Sequence, residues 1–408
     1  MEIKNKIEFG KYGLPLKVQF CKKCIMSNQR PSSSVEFKNT KHSKKRSLSI
    51  GNDGICEACK YAETKLKINW NERNERLIEL CERFRKNDGS FDVIIPGSGG
   101  KDSVVAAHVM KYEFNMNPLL VTWPPALYTD IGRKNFEGWL EGGFSNYTFH
   151  PNRKVHKILT QQAFLNLCHP FQPFILGQKN LAPRIATQLD IPLVIYGENE
   201  AEYGNPVSDN DKPKRSTTYF SHENLLNDLY LGGVNAKDLK SRYGFTNADL
   251  STYLPVDPEL IERKGIEVHY LGFYRKWHPQ QTYYFSVEKT KFMPNIHRTE
   301  GTHTKYASID DKMDWLHYYT AYIKFGIGRT SNDTAQEIRN KDITREEGIA
   351  LVKRFDGEFP KIYLQECLDY MEIDRKQFDQ VIEQSRPEHL WHKVNGIWEL
   401  KHPVWKEK

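Results

Sequence analysis

No uninterrupted apolar run in this chain approaches the ~18 residues a membrane-spanning helix requires, so an integral membrane protein is excluded. The opening residues Met1-Glu2-Ile3-Lys4-Asn5-Lys6 lead into no apolar core of a secretory signal. Cysteine is scarce and odd in number, seven in 408 residues. Without a secretion signal, that count does not describe a disulfide scaffold. A strong excess of one charge is also missing. The 59 basic and 52 acidic residues leave +7, which favours an acidic partner without separating a nucleic acid from a nucleotide or an acidic sugar. Neither an internal repeat nor a long low-complexity tract is present. With 38% apolar and 27% charged residues the balance is that of a globular protein. The expectation is a cytoplasmic protein with no membrane contact and, from its length, two or three domains.

Three zones follow one another along the chain. The first, 1–89, is polar and lysine-rich and carries four cysteines in two close pairs. It ends in a stretch where Trp70, Leu77, Leu80, Cys81 and Phe84 recur at helical spacing, stopped by Asn87, Asp88 and Gly89. The second, 90–300, alternates short apolar runs with helical patterns. The runs are Val93-Ile94-Ile95, Leu119 to Trp123, Asn146 to Phe149, Pro192 to Tyr196 and Val268 to Leu271. That alternation predicts an α/β fold with a mostly parallel sheet flanked by helices. Within it, 203–260 reads as a polar insertion that would form a lid or a partner surface. The third zone, 301–408, reads as helices, with starts predicted at Thr344 (Thr-Arg-Glu-Glu) and at Asp374, three residues before Gln377.

The sharpest feature is Ile95-Pro96-Gly97-Ser98-Gly99-Gly100-Lys101-Asp102-Ser103, between an apolar strand and the helical run Val104-Val105-Ala106-Ala107. Strand, glycine turn and helix bring backbone N–H groups and the positive helix end onto one anion. Gly97, Gly99 and Gly100 would let the backbone approach phosphate oxygens, Ser98 and Ser103 offer hydroxyls, and Lys101 adds a compact charge. The pattern is neither a Walker A loop, since Asp102 follows Lys101, nor G-x-G-x-x-G. An acid inside a phosphate nest repels phosphate unless a divalent cation intervenes, which favours ATP with Mg²⁺ over a bare dinucleotide.

Ser98-Gly99-Gly100-Lys101-Asp102-Ser103 resembles the Ser-Gly-Gly-x-Asp-Ser loop of the PP-loop ATP pyrophosphatases. The resemblance implies a HUP-like parallel sheet and cleavage of ATP to AMP and pyrophosphate, with adenylation of a substrate oxygen. It also implies backbone contacts to adenine at Thr122 and Trp123, and further nucleotide contacts at Gly197, Glu198 and Asn199 after the fourth strand.

Cys21-x2-Cys24 and Cys56-x2-Cys59, with thirty-one residues between the pairs, supply four thiolates for one tetrahedral Zn²⁺. An iron–sulfur cluster is the alternative. Cys81, Cys168 and Cys367 are scattered in apolar or helical stretches and read as small buried hydrophobes. Because sulfur transfer usually needs additional reactive cysteines, nitrogen transfer is favoured. Residue 2 is glutamate, and none of these three cysteines sits on a glycine-flanked elbow, so the chain carries no glutaminase of its own.

The whole layout resembles the N-acetyl sugar amidotransferase family (WbpG/PseA-like). The Cys pairs, the phosphate loop, Gly197 to Gly204 and Tyr319 to Arg329 carry that resemblance. It implies an ATP-dependent ligase that forms a C–N bond and converts the acetamido group of a free or nucleotide-linked sugar into an acetamidino group. Such a step belongs to bacterial lipopolysaccharide or flagellar glycan synthesis, pseudaminic acid included. Ammonia would come from a separate glutaminase and a tunnel-bearing partner like that of histidine synthesis. Lys101, Asp102, Ser98 and Arg329 are the expected catalytic residues, with Arg329 an anion clamp; Arg275, Lys276, Lys289 and Lys305 are further candidates. Two other readings are a tRNA-modifying enzyme using the same activation, and a non-catalytic nucleotide-binding scaffold. A nucleic acid partner is not expected, because the charge is modest and a catalytic cysteine pair is missing.

Overall fold

The computed structural model describes residues 8–32, 36–203, 205, 212–222 and 229–407. Each of the five apolar runs forms a strand: β1 (Val93–Pro96), β2 (Pro118–Thr122), β3 (Ser145–Thr148), β4 (Leu193–Tyr196) and β7 (Glu267–Tyr270). They pair in parallel in the order β3-β2-β1-β4-β7. β1, β2 and nearly all of β4 are buried, as strands covered by helices on both faces must be.

Alternation sends successive side chains to opposite faces. Val93, Ile95, Leu120 and Ile195 pack with α2 (Trp70–Phe84) and α3 (Lys101–His108). Ile94, Leu119, Val121 and Val194 pack with α5 (Arg153–Leu167) and α6 (Gln172–Leu189). Asp92 closes the start of β1, its buried carboxylate accepting from the Lys86 and Asn117 amides at 2.7 and 2.8 Å.

The segment expected to form a lid or a partner surface contributes side chains to the core. Gly204, 206–211 and 223–228 lie outside the described residues. The rest holds a two-stranded ribbon, β5 (Tyr230–Leu231) and β6 (Val234–Asn235), and the helix Ala236–Tyr243. Leu231, Leu239, Leu250, Tyr253 and Ile261 enter the core beside α5 and α6. Sparse apolar residues spaced through a polar sequence thus build a core wall.

Past residue 300 the helices Lys312–Phe325, Arg329–Asn340, Arg345–Phe355, Leu364–Met371 and Arg375–Ser385 follow in turn. Both predicted starts carry complete capping boxes, Thr344 with Glu347 and Asp374 with Gln377. A terminal hairpin, β8 (Trp391–Val394) and β9 (Ile397–Leu400), interrupts the helical pattern at the Asn395-Gly396 turn. The four-cysteine region shares a core with these helices: Ile25 and Met26 pack with Ile327, Ala335 and Val352. Arg345 Nε donates to the Cys24 carbonyl at 3.1 Å.

Candidate active site and cysteine centre

The sheet order turns back on itself between β1 and β4, and the loops after both strands open at their carboxyl ends. In open α/β sheets, this is where ligands bind. The two loops touch: a Cβ added to Gly197 would lie 2.8 Å from the Asp102 carbonyl oxygen. Glycine is required at 97 and 99 by neighbouring protein. A Cβ at Gly97 would fall 2.2 Å from Ser103 Cβ, and one at Gly99, where φ is +89°, would fall 2.8 Å from Phe136 Cα. Nothing lies within 4 Å of a Cβ at Gly100, which caps α3 without a side-chain bond. The open side of the loop is therefore at the helix start, where amide donors converge.

That open side faces a cavity of about 370 Å³. Gly99, Gly100, Lys101 and Asp102 line it from the loop, and Glu198 from the end of β4. The opposite wall comes from the C-terminal third: Tyr306, Asp310, Asp314, Tyr318, Arg329 and Asp333. Ser98 Oγ donates to Asp310 Oδ2 at 2.7 Å, and Lys101 Nζ pairs with both Asp102 oxygens at 2.6 and 2.7 Å. Ser103 Oγ turns inward, donating to the Gly100 carbonyl at 3.0 Å.

Arg329 begins its helix directly after Gly328. The buried carboxyl of Asp356 fixes that start, accepting from the Gly328 amide at 2.9 Å and Ser331 Oγ at 2.6 Å. Arg329 pairs with Asp333 at 2.9 Å, donates to the Tyr318 hydroxyl and stacks on the Tyr318 ring. Burial works against its charge, but Asp333, Tyr318 and Asp314 more than offset it and hold the guanidinium ionised. Burial also raises two cavity carboxyls to about 7. Glu198 is pushed further by Asp102, and Asp314 is partly restrained by Arg329. His303 lies beside the cavity-lining Glu337, with Nε2 3.0 Å from its carboxylate. Burial lowers its basicity, Glu337 and Asp333 raise it, and the net is upward.

Other expected residues lie elsewhere. Neither Thr122 nor Trp123 lines the cavity: Thr122 Oγ1 accepts from Asn146, and Trp123 is core, its ring 2.1 Å from where a Cβ on Gly177 would lie. Gly197 and Asn199 sit behind the lining, where the Asn199 side chain caps the turn at Ala201. Arg275 pairs with Glu113 and Lys289 with Glu288, and neither they, Lys276 nor Lys305 lines the cavity. The carboxyls at 310 and 314 carried no motif. Only the acid-rich Asp310-Asp311-Lys312-Met313-Asp314 before an apolar helix marked them, and that reads equally as a helix cap.

The four cysteines converge and are all buried. Their sulfurs lie within 4.8 Å of one another, with Cys21–Cys59 and Cys24–Cys56 each at 3.7 Å. A tetrahedron of sulfurs ~2.3 Å from a single ion has edges of ~3.8 Å, so the set fits one tetrahedral metal. A multi-iron cluster, whose thiolates bind different irons, would spread them further. The Met26 amide points at Cys24 Sγ and the Cys56 amide at Cys21 Sγ, donors suited to thiolates.

Residues 300–404 match the model of a family described as "LPS biosynthesis protein WbpG-like, C-terminal domain". A stretch of 82 residues is 33% identical to the uncharacterized protein MJ1599 of Methanocaldococcus jannaschii, covering 20% of this chain and 29% of that one. The chain thus spans under a third of the length of that relative.

Proposed function

We propose that this chain is an ATP-dependent amidotransferase of bacterial polysaccharide biosynthesis that converts the acetamido group of an N-acetylated sugar into an acetamidino group. One observation carries the reading. The glycine-rich loop at 97–103 and the segment matching a lipopolysaccharide-biosynthesis family line the same cavity. A nucleotide loop and a sugar-pathway segment across one cleft are what joining ATP to a sugar requires.

An amide carbon resists ammonia because its nitrogen donates into the carbonyl and its oxygen leaves poorly. In the proposed reaction the acetamido oxygen attacks the α-phosphorus of ATP, pyrophosphate leaves, and an O-adenylyl imidate forms. Ammonia adds to the imidate carbon, the C–O bond breaks with release of AMP, and a proton is lost to give the amidine. The open helix start at Gly100 and Lys101 would hold the polyphosphate, and Arg329 would balance charge on the far wall. Asp102 would hold Mg²⁺, which would neutralise the polyphosphate. Glu198 and Asp314, with acidities brought to about 7 by burial, are bases suited to take the proton from incoming ammonium.

The four cysteines would hold a structural Zn²⁺, keeping the N-terminal region folded on the C-terminal helices. Ammonia would be delivered by a separate glutaminase together with a tunnel-bearing partner. The test incubates the protein with ATP, an ammonium salt and N-acetyl sugars. The reading predicts pyrophosphate release that depends on the sugar, and a product in which oxygen is replaced by NH. Release that requires tRNA in place of sugar would move the assignment to a base-modifying enzyme.

A further inference from the structure

A second cavity, of about 290 Å³, backs onto the first. The two share Tyr203, Tyr318, Arg329, Asp333 and Gln336 as lining, so a thin wall of side chains separates them. Their charges are opposed. The first cavity is lined by seven carboxyls (Asp102, Glu198, Asp310, Asp314, Asp333, Glu337 and Asp342) against Lys101 and Arg329. Among the described residues, the second is lined by Arg30, Lys45, Lys324 and Arg329 and by one carboxyl, Asp333, which Arg329 engages; Lys324 Nζ also donates to the Leu167 carbonyl at 3.1 Å.

The cations come from distant parts of the chain. Arg30 follows the first cysteine pair, and Lys324 ends the helix Lys312–Phe325 with only 5% of its surface exposed. Among the described residues, Arg30 reaches Asn332 Oδ1 at 3.4 Å and the Pro31 carbonyl at 3.5 Å, both at the weak end of hydrogen bonding. Two stacked imidazoles, His169 and His317, line the same space with ring centroids 4.7 Å apart. His169 is 6% exposed, yet among the described residues its Nδ1 has no partner, nor has that of His317. Burial and neighbouring cations hold both rings neutral, so each can present an N–H donor without adding charge. Buried polar atoms without a partner are uncommon in native proteins. Together with a lining that carries buried Lys324 and half-buried Arg30, they mark a site suited to an oxyanion.

We infer that this second cavity is an acceptor subsite in which Arg30, Lys324, His169 and His317 hold an anionic group of the sugar, a diphosphate or a carboxylate, beside the adenylation cleft. This rests on the proposed amidotransferase reading for its ligand. It also gives the cysteine centre a use, since the fold around the metal carries Arg30 to the site.

The test measures direct binding to the full chain, by calorimetry, of UDP-N-acetylglucosamine, N-acetylneuraminate and neutral N-acetylglucosamine, with a non-hydrolysable ATP analogue in parallel. At least one of the two anionic sugars should bind more tightly than the neutral sugar, and which one does identifies the group. Arg30→Gln and Lys324→Met should each weaken that sugar about tenfold or more, the scale of a lost charge-assisted hydrogen bond. ATP-analogue affinity should stay within about twofold, and Arg30→Lys should recover most of the loss. If buried Lys324→Met does not fold, half-buried Arg30→Gln carries the test alone. Equal binding of all three sugars, no binding of any, or variants that weaken the ATP analogue as much as the sugar would overturn the subsite. Because binding is read without turnover, anionic sugar binding with no pyrophosphate release would uphold the subsite while sinking the amidotransferase reading.

Discussion

Ser98 and Asp310, 212 residues apart in the chain, meet at 2.7 Å, the serine hydroxyl donating to the carboxylate. The contact ties the glycine-rich loop to the strap leading into the C-terminal helices. Thr129 secures that strap from the other side, its amide and hydroxyl bonding the Asp310 and Ile309 carbonyls. Loop and strap thus form one unit, and Asp310 fixes the direction of the Ser98 hydroxyl.

Replacing Asp310 with alanine should lower kcat/KM for ATP by tenfold or more, while stability falls by only ~1 kcal/mol, the worth of one such hydrogen bond. Steady-state kinetics with a thermal melt separates the two effects. A stability loss with unchanged kinetics would make the contact merely structural.

The acidities of Glu198 and Asp314 set a pH signature. Burial raises Glu198 from 4.5 and Asp314 from 3.8, both to about 7. A carboxyl raised on folding binds more protons in the native state, so its contribution is fully present below its unfolded value and is lost as pH rises through the folded one. Stability should fall from about pH 4 to 7, whereas activity, which needs the ionised base, should rise towards 7. Glu198→Gln should flatten part of the stability slope and lower turnover. A pH–rate profile that keeps its limb near 7 in both Glu198→Gln and Asp314→Asn would count against this assignment.

Lys65 on α1 (Glu57–Lys65) pairs with Glu202 at 2.6 Å and also donates to the Trp277 carbonyl, and both side chains are buried. Lys65→Met leaves an uncompensated buried carboxylate and should cost ~3–5 kcal/mol, with much of the loss recovered in the Lys65→Met, Glu202→Gln double variant. Denaturant melts of the three variants measure it. Additive losses would show that the pair does not interact.

The cysteine centre predicts one zinc per chain. Cys56→Ser should eliminate it and unfold the region that shares a core with the C-terminal helices, since metal binding and folding are coupled in such sites. Metal analysis with circular dichroism reads both, and iron with sulfide in place of zinc would contradict the geometry.

Much of this architecture could be read before the structure. Five strands, the helix after the glycine-rich loop and two capping boxes followed from local patterns: apolar runs of strand length, glycines between strand and helix, and Thr344 or Asp374 three residues before a side-chain acceptor. The cysteine pairs were legible because metal spacing is local. The far wall of the cavity was not. Asp310, Asp314 and Tyr318 reach it only through tertiary folding, and their sequence context is that of an ordinary helix start. The ring of Trp123 was not legible as core either: Gly177 on α6 leaves a space that it fills, a fit set by tertiary packing. The 203–260 segment hid its core residues among polar ones.

The central claim is that the acetyl oxygen of the sugar becomes a phosphate oxygen of AMP. The most direct measurement supplies a sugar whose acetyl carbonyl carries heavy oxygen, with ATP and ammonium, and weighs the nucleotide product by mass spectrometry. The account predicts one heavy oxygen in AMP for every amidine formed. Label retained on the sugar, or AMP appearing without it, would contradict the account.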